Sequence, residues 1–194
     1  MDRLSTLIAV AALVGCNTKA DPPGAPPART DGAKVKPAQT ASTDAFCDVH
    51  AGDASGDVFH WPELAPGSVP PGGTGWQWVN VWATWCKPCI AEMPRIVAWR
   101  DRLAHAGTPI ELTFVSVDDA DADVAEFRRA HPEMPPTIRV AGNEQRVAWL
   151  RAMHLRDGAI PIHLFVSPAN RLRCSRAGEV RDQDRGVVDK LFTE

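Results

Sequence analysis

At 194 residues the chain is long enough for one domain with a substantial core once a leader and a linker are set aside, and too short for a second full domain. Apolar residues make up 44% and charged residues 23%, ordinary globular usage that argues against general disorder and against a multi-span membrane protein. A net charge of −3 supplies no basic field for nucleic acid.

Residues 1–16 run Met1-Asp2-Arg3, an apolar stretch from Leu4 to Val14, then Gly15-Cys16. A stretch of about 11 residues is too short to span a bilayer, which takes roughly 20, so it predicts a secretion signal and not an anchor helix. Leu13-Val14-Gly15-Cys16 resembles the bacterial lipobox, which implies lipidation of Cys16 and attachment to a membrane through the N-terminal lipid. The alternative is a plain cleaved signal in which Cys16 is incidental. Residues 17–43, which include Asp21-Pro22-Pro23-Gly24-Ala25-Pro26-Pro27, hold little that can be buried and predict an unfolded tether. Its reach is about 30 Å as a coil and about 80 Å as a polyproline-like spacer.

Residues 44–194 form the expected folded domain, an α/β layered arrangement of alternating strand and helix patterns. Phe46 to Trp61, broken by Ala51-Gly52-Asp53 and Ser55-Gly56-Asp57, predicts an N-terminal β-hairpin. Trp76 to Ala83 predicts a strand, and Lys87 to His105 a helix whose stripe is Ile90, Met93, Ile96 and Val97. Pro94 should interrupt and kink that helix. Ile110 to Val117 predicts a strand, Asp121 to His131 a helix with Asp121 as N-cap, and Asn143 to Met153 another helix. Ile162 to Val166, the turn Pro168-Ala169-Asn170-Arg171 and the chain from Leu172 predict a hairpin, and Gln183 to Phe192 a final helix.

Cys86-Lys87-Pro88-Cys89 puts two sulfurs three residues apart where strand runs into helix, so the first turn can bring them within disulfide distance. Unpaired N–H groups and the dipole at that helix start favour thiolate over thiol at Cys86, and Pro88 suits a first turn. A structural zinc site commonly takes four ligands from two such pairs, and there is no second Cys-x-x-Cys, so redox chemistry is favoured over metal. Cys86, at the open end, is the expected attacking thiolate, and Cys89, one turn in, the resolving one.

The run Val79-Asn80-Val81-Trp82-Ala83-Thr84-Trp85-Cys86-Lys87-Pro88-Cys89, followed by Glu92-Met93-Pro94, resembles the thioredoxin superfamily, and within it the TlpA-like and ResA-like extracytoplasmic branch. The resemblance implies a thioredoxin fold: a central mixed sheet flanked by helices, here with the N-terminal hairpin added. Cytoplasmic thioredoxins carry an Asp six residues before the first Cys; this chain has Asn80, as that branch does. The branch has a Glu matching Glu92, which implies proton transfer and tuning at Cys89; the plainer reading is a surface helix Glu. Ile160-Pro161 before Ile162 resembles the family's cis-proline loop, with an ordinary trans proline as the alternative. By the same resemblance Trp85, Ile160 and Pro161 contact the substrate chain. Ile162 and His163 depart from the family pattern, in which Thr is common there.

Setting aside Cys16, Cys86 and Cys89 leaves Cys47 and Cys174, an even remainder that suggests a structural disulfide in an exported protein. A simple thioredoxin sheet does not obviously bring them together, so buried thiols or a second redox couple stay open. The six His show no metal-like spacing and read as structural or surface residues. The expected activity is thiol-disulfide exchange with no cofactor beyond the redox-active disulfide. Its expected partners are disulfide-containing client proteins and a membrane thiol-disulfide carrier, and the resemblance includes proteins serving cytochrome c maturation. The alternatives are a disulfide oxidant or isomerase, and a thioredoxin-fold module that holds copper between the two thiolates.

Overall fold

The computed structural model describes residues 42–52, 54–155 and 158–193, all within the compact unit that spans 37–194. The signal, the lipobox Cys16 and the tether up to residue 41 lie outside the described residues.

The strand β2, Trp76–Trp82, is the centre of the sheet. Apart from half-buried Trp76 it is buried throughout, because both edges and both faces are covered, which is why Trp and Val fill it with no polar alternation and its two polar residues, Gln77 and Asn80, are buried as well. On one side lies β3, Ile110–Ser116, parallel to β2, with Trp76 opposite Ile110 and Trp82 opposite Ser116. On the other lies β5, Ile162–Val166, antiparallel, with Val81 opposite Ile162 and Asn80 opposite His163. The strand β6, Leu172–Ala177, pairs with β5 as the expected hairpin. A further strand β4, Thr137–Arg139, pairs parallel with β3, and β1, Val49–His50, pairs antiparallel with β6. The six-stranded mixed sheet runs β1-β6-β5-β2-β3-β4.

Helix α1 is a single turn, Thr43–Phe46, capped by the Ser42 hydroxyl, which accepts from the Ala45 N–H. Helix α2, Lys87–His105, is one element that continues past Pro94. Its buried face is Cys89, Glu92, Met93, Ile96, Trp99 and Leu103, whereas Ile90 and Val97 sit half-buried, so the core stripe is rotated from the expected one and takes in a carboxylate. Helix α3 is Asp121–Ala130, and its N-cap is Ala120, with no side-chain cap. Asp121 is therefore not the cap: its carboxylate accepts from Arg139 Nε at 2.5 Å. Helix α4 is Asn143–Ala152. The final segment is a 3₁₀ turn, Asp182–Asp184, leading into a short helix α5, Arg185–Leu191.

Among the described residues the expected N-terminal hairpin does not form. The glycine-rich breaks do mark turns, but the chain around them pairs with distant strands: Val49 opposite Ser175, His50 opposite Cys174, Val58 bridging Arg171 and Leu64 bridging Val140. Residues 49–64 thus pass from the β6 edge of the sheet to the β4 edge. Gly56 is required on that path, since a Cβ there would lie 2.4 Å from the Leu172 carbonyl oxygen. Laying β1 on β6 brings Cys47 to Cys174, and the two form a disulfide with a Cα separation of 5.5 Å across 127 residues of chain.

Tryptophan dominates the interior. Trp78 and Trp82 are fully buried, and Trp78 packs against Phe165, Phe192 and Trp99 at ring-centre distances of 5.2, 5.8 and 6.3 Å. The buried indole N–H groups find acceptors at His163 Nδ1 for Trp78, Thr137 Oγ1 for Trp82 and the His60 carbonyl for Trp149. No helix among the described residues is long and apolar enough to cross a membrane.

Candidate active site

The end of β2 delivers the chain through Ala83-Thr84-Trp85 to Cys86, which is the N-cap of α2. Cys86 has extended backbone angles and its Sγ accepts from the Cys89 N–H at 3.3 Å, so the sulfur occupies the place of a capping oxygen. Cys86 and Cys89 form a disulfide across this first turn, with Cα atoms 5.3 Å apart. Their exposures are 4% and 0%, so both are largely shielded, Cys89 the more so. Lys87 and Pro88 are exposed, and Trp85 projects beside the disulfide at 64% exposure.

The loop that carries Cys86 is held from below by Asp118, a residue the sequence did not single out. Its carboxylate accepts from the Thr84 N–H, the Thr84 hydroxyl and the Ser116 hydroxyl. Ser116 is the last residue of β3, so the sheet itself anchors the approach to the disulfide.

Behind Cys89 the sheet and α2 enclose a polar cluster. Glu92 lies three residues on from Cys89 along the buried face and is 1% exposed, so it is not a surface helix residue. Its Oε1 accepts from Asn80 Nδ2 at 3.0 Å and its Oε2 from the Val180 N–H at 2.8 Å. His163 of β5, opposite Asn80, is 0% exposed, with Nε2 3.3 Å from Glu92 Oε1. The sequence reading left His163 among structural or surface residues; the signal that could have found it is its departure from the family's Thr in an otherwise apolar strand.

The Ile160-Pro161 bond is cis. Pro161 is buried and its carbonyl accepts from the Gly178 N–H at 2.8 Å, while Ile160 is half-buried. Because Val81 pairs with Ile162, Ile160 and Pro161 stand at the same end of the sheet as the 83–86 loop. Cys47 and Cys174 lie in the separate disulfide at the β6 edge. Among the described residues no group of three or more His, Cys, Asp and Glu side chains is arranged to hold a metal ion.

No protein-family model matches the sequence. A curated relative, "Thioredoxin-like protein YneN" of Bacillus subtilis, is 35% identical over 49 residues, which is 25% of this chain and 29% of that protein; the chain thus matches less than a third of its relative's length. Among solved structures, a thioredoxin-related protein from Neisseria meningitidis serogroup B is similar with a TM-score of 0.54 and 26% identity, over 68% of this chain and 98% of that one. A secreted thiol-disulfide isomerase from Corynebacterium glutamicum is similar with a TM-score of 0.58 and 19% identity, over 79% and 96% of the two chains. Together with the strand order and the helix that starts at Cys86, these similarities show that the chain has a thioredoxin-like fold, a mixed central sheet flanked by helices.

Proposed function

We propose that the protein is an extracytoplasmic thiol-disulfide oxidoreductase that reduces or exchanges disulfides of client proteins through Cys86 and Cys89. The observation that carries this reading is the disulfide closed across the first turn of α2, with Cys86 at the cap and Cys89 backed by the buried Glu92. A sulfur at a helix N-terminus faces unpaired N–H groups and the positive end of the dipole, so the thiolate is the favoured form once the bond is reduced.

In the reductive direction a dithiol donor first opens the Cys86–Cys89 bond and leaves as a disulfide. The Cys86 thiolate then attacks a client disulfide, forming one mixed S–S bond and releasing one client sulfur as thiolate. Cys89 passes its proton to the Glu92 carboxylate and attacks Cys86 Sγ. The second client sulfur leaves as thiolate, takes up a proton, and the enzyme disulfide is restored. Two electrons have passed to the client. Trp85 offers an exposed apolar face beside Cys86, and Ile160 with Pro161 borders the same end of the sheet, so a client strand laid there would meet both.

The fitting donor is a membrane dithiol carrier, and reduction of cysteines destined for cytochrome c is the client class we favour, both following from the resemblance to the TlpA-like branch. The signal-like residues 1–16 and Cys16 support export and lipid attachment. The secreted isomerase from C. glutamicum and the "Thioredoxin-like protein YneN" agree with chemistry of this class.

Replacement Cys89→Ala in the native host tests the mechanism: clients accumulate as mixed disulfides on Cys86, to be identified by mass spectrometry. An abundant variant that traps nothing overturns it. The direction of electron flow is read from the reduction potential, where a value near the low end of the roughly −270 to −120 mV spread of related dithiols marks a reductant and one near the top an oxidant.

A further inference from the structure

Beneath Cys89 two buried ionisable side chains face each other, Glu92 and His163, and the proton arrangement between them is fixed by a third residue that does not titrate. Trp78 Nε1 lies 3.2 Å from His163 Nδ1. An indole nitrogen can only donate, so His163 Nδ1 must accept there and carries no proton. Asn80 Nδ2, a second donor, lies 3.4 Å from the same Nδ1 and strengthens the constraint. Turning the imidazole over would set a C–H against the indole N–H and leave that buried donor without an acceptor, at the cost such orphans carry. A doubly protonated imidazolium would point Nδ1–H at the Trp78 N–H and the Asn80 amide. The contacts at Nδ1 therefore leave Nε2 as the nitrogen that carries the ring proton.

That Nε2 lies 3.3 Å from Glu92 Oε1 without closing a hydrogen bond to it, and makes none to any other group among the described residues. Glu92 already receives the Asn80 amide and the Val180 N–H, so every polar group seen to face its carboxylate is a neutral donor. The one other charged group near His163 in the sheet register is Arg176 of β6, and its guanidinium is turned away, with Nη1 donating to the Phe46 carbonyl and its carbon 4.3 Å from the Phe46 ring centre.

We propose that His163 is a positioning residue, held in the Nε2–H form by Trp78, whose neutral N–H dipole 3.3 Å from Oε1 orients the Glu92 carboxylate to take the proton of Cys89. A cationic histidine in the same place would neutralise the carboxylate as an ion pair; a neutral donor favours the anion without cancelling its charge, so the base remains a base. The rate effect rests on the thiol exchange proposed above, whereas the tautomer does not.

Two measurements test this. In the full chain with histidine ¹⁵N-labelled and the disulfide closed, His163 shows the Nε2–H tautomer by nitrogen chemical shifts from about pH 5 to about pH 8, with no transition to the imidazolium. A transition in that range, or a proton on Nδ1, overturns the proposal whatever the protein's activity. The second measurement follows resolution of a preformed mixed disulfide on Cys86 as a function of pH. His163→Phe, which removes the N–H, lowers the resolution rate roughly tenfold at about pH 6 and leaves it within about twofold at about pH 9, where Cys89 depends less on a base to give up its proton. His163→Gln, whose amide N–H can take the place of Nε2–H, restores most of the rate at the lower pH. A loss equal at both pH values, or a loss that His163→Gln does not recover, assigns His163 a packing role and overturns the proposal. A wild-type protein that resolves no mixed disulfide would instead sink the proposed function and leave the tautomer result standing.

Discussion

Thr84 is tied to Asp118 by three hydrogen bonds: its N–H lies 3.2 and 3.1 Å from the two carboxylate oxygens, and its hydroxyl donates to Oδ1 at 2.7 Å. Asp118 in turn belongs to the segment just past β3, which pairs with β2 along its full length, so the two-residue approach to Cys86 is clamped by the sheet next to it.

Asp118→Ala removes that clamp and leaves the Thr84 N–H and the Ser116 hydroxyl without their acceptor. The expected cost is about 1 to 3 kcal/mol in urea unfolding. The rate at which the reduced protein attacks a model disulfide falls as well, because the helix start no longer holds Cys86 in one place.

Glu92→Gln keeps the size of the side chain but removes the carboxylate under Cys89. In single-turnover experiments the attack by Cys86 stays close to wild type, while resolution by Cys89 slows by roughly a hundredfold at neutral pH, the scale of a lost general base. Equal slowing of both steps would show that Glu92 is not specific to the resolving sulfur.

The Cys47–Cys174 bond closes a loop spanning 127 residues of chain, and both cysteines are buried. The double replacement Cys47→Ala with Cys174→Ala lowers the unfolding free energy by about 3 to 5 kcal/mol, measured by denaturant titration with Cys86 and Cys89 kept oxidised. Exchange through Cys86 continues in whatever fraction stays folded.

Trp85 exposes 64% of its surface beside the disulfide. Trp85→Ala leaves stability within about 0.5 kcal/mol of wild type and slows exchange with folded or peptide clients, while a small disulfide such as oxidised dithiothreitol reacts nearly as before. A parallel loss with the small disulfide would place the indole in the chemistry and not in client contact.

Arg139 donates to Asp121 and holds its carboxyl below the ordinary carboxylate value, chiefly through the hydrogen bond, with desolvation opposing it and the opposite charge of Arg139 adding the least. A depressed folded value means that the stabilisation is present at neutral pH and is lost as the pH falls through the carboxyl's folded range. Asp121→Asn therefore lowers the urea midpoint slightly at neutral pH, and the two midpoints converge as the solution is made strongly acidic.

What could be read along the chain was whatever depends on neighbours in sequence. The helix Lys87–His105 begins and ends where its capping Cys86, Pro88 and periodicity put it, and β2 ends one residue short of the expected limit. The β5–β6 hairpin follows from its Pro168-Ala169-Asn170-Arg171 turn. By contrast β4 is three residues long and follows Pro135-Pro136, too short for any alternation to register, and it exists because β3 offers it an edge. Asp121 has the chemistry of an N-cap, yet Arg139 from β4 draws its carboxylate elsewhere.

The sequence by itself determined the dithiol, its seat at a helix start and the α/β order, because a Cys-x-x-Cys at a strand-to-helix junction is specified by residues a few positions apart. Only the tertiary structure decided that β1 lies on β6 and so joins Cys47 to Cys174, that Glu92 is buried, and that His163 faces it with Trp78 behind. Those relationships join residues separated by 71 to 127 positions in the chain, and which face of a strand or helix meets which is settled by packing. Local periodicity can make a side chain available for burial, but it cannot name the partner that will be waiting there.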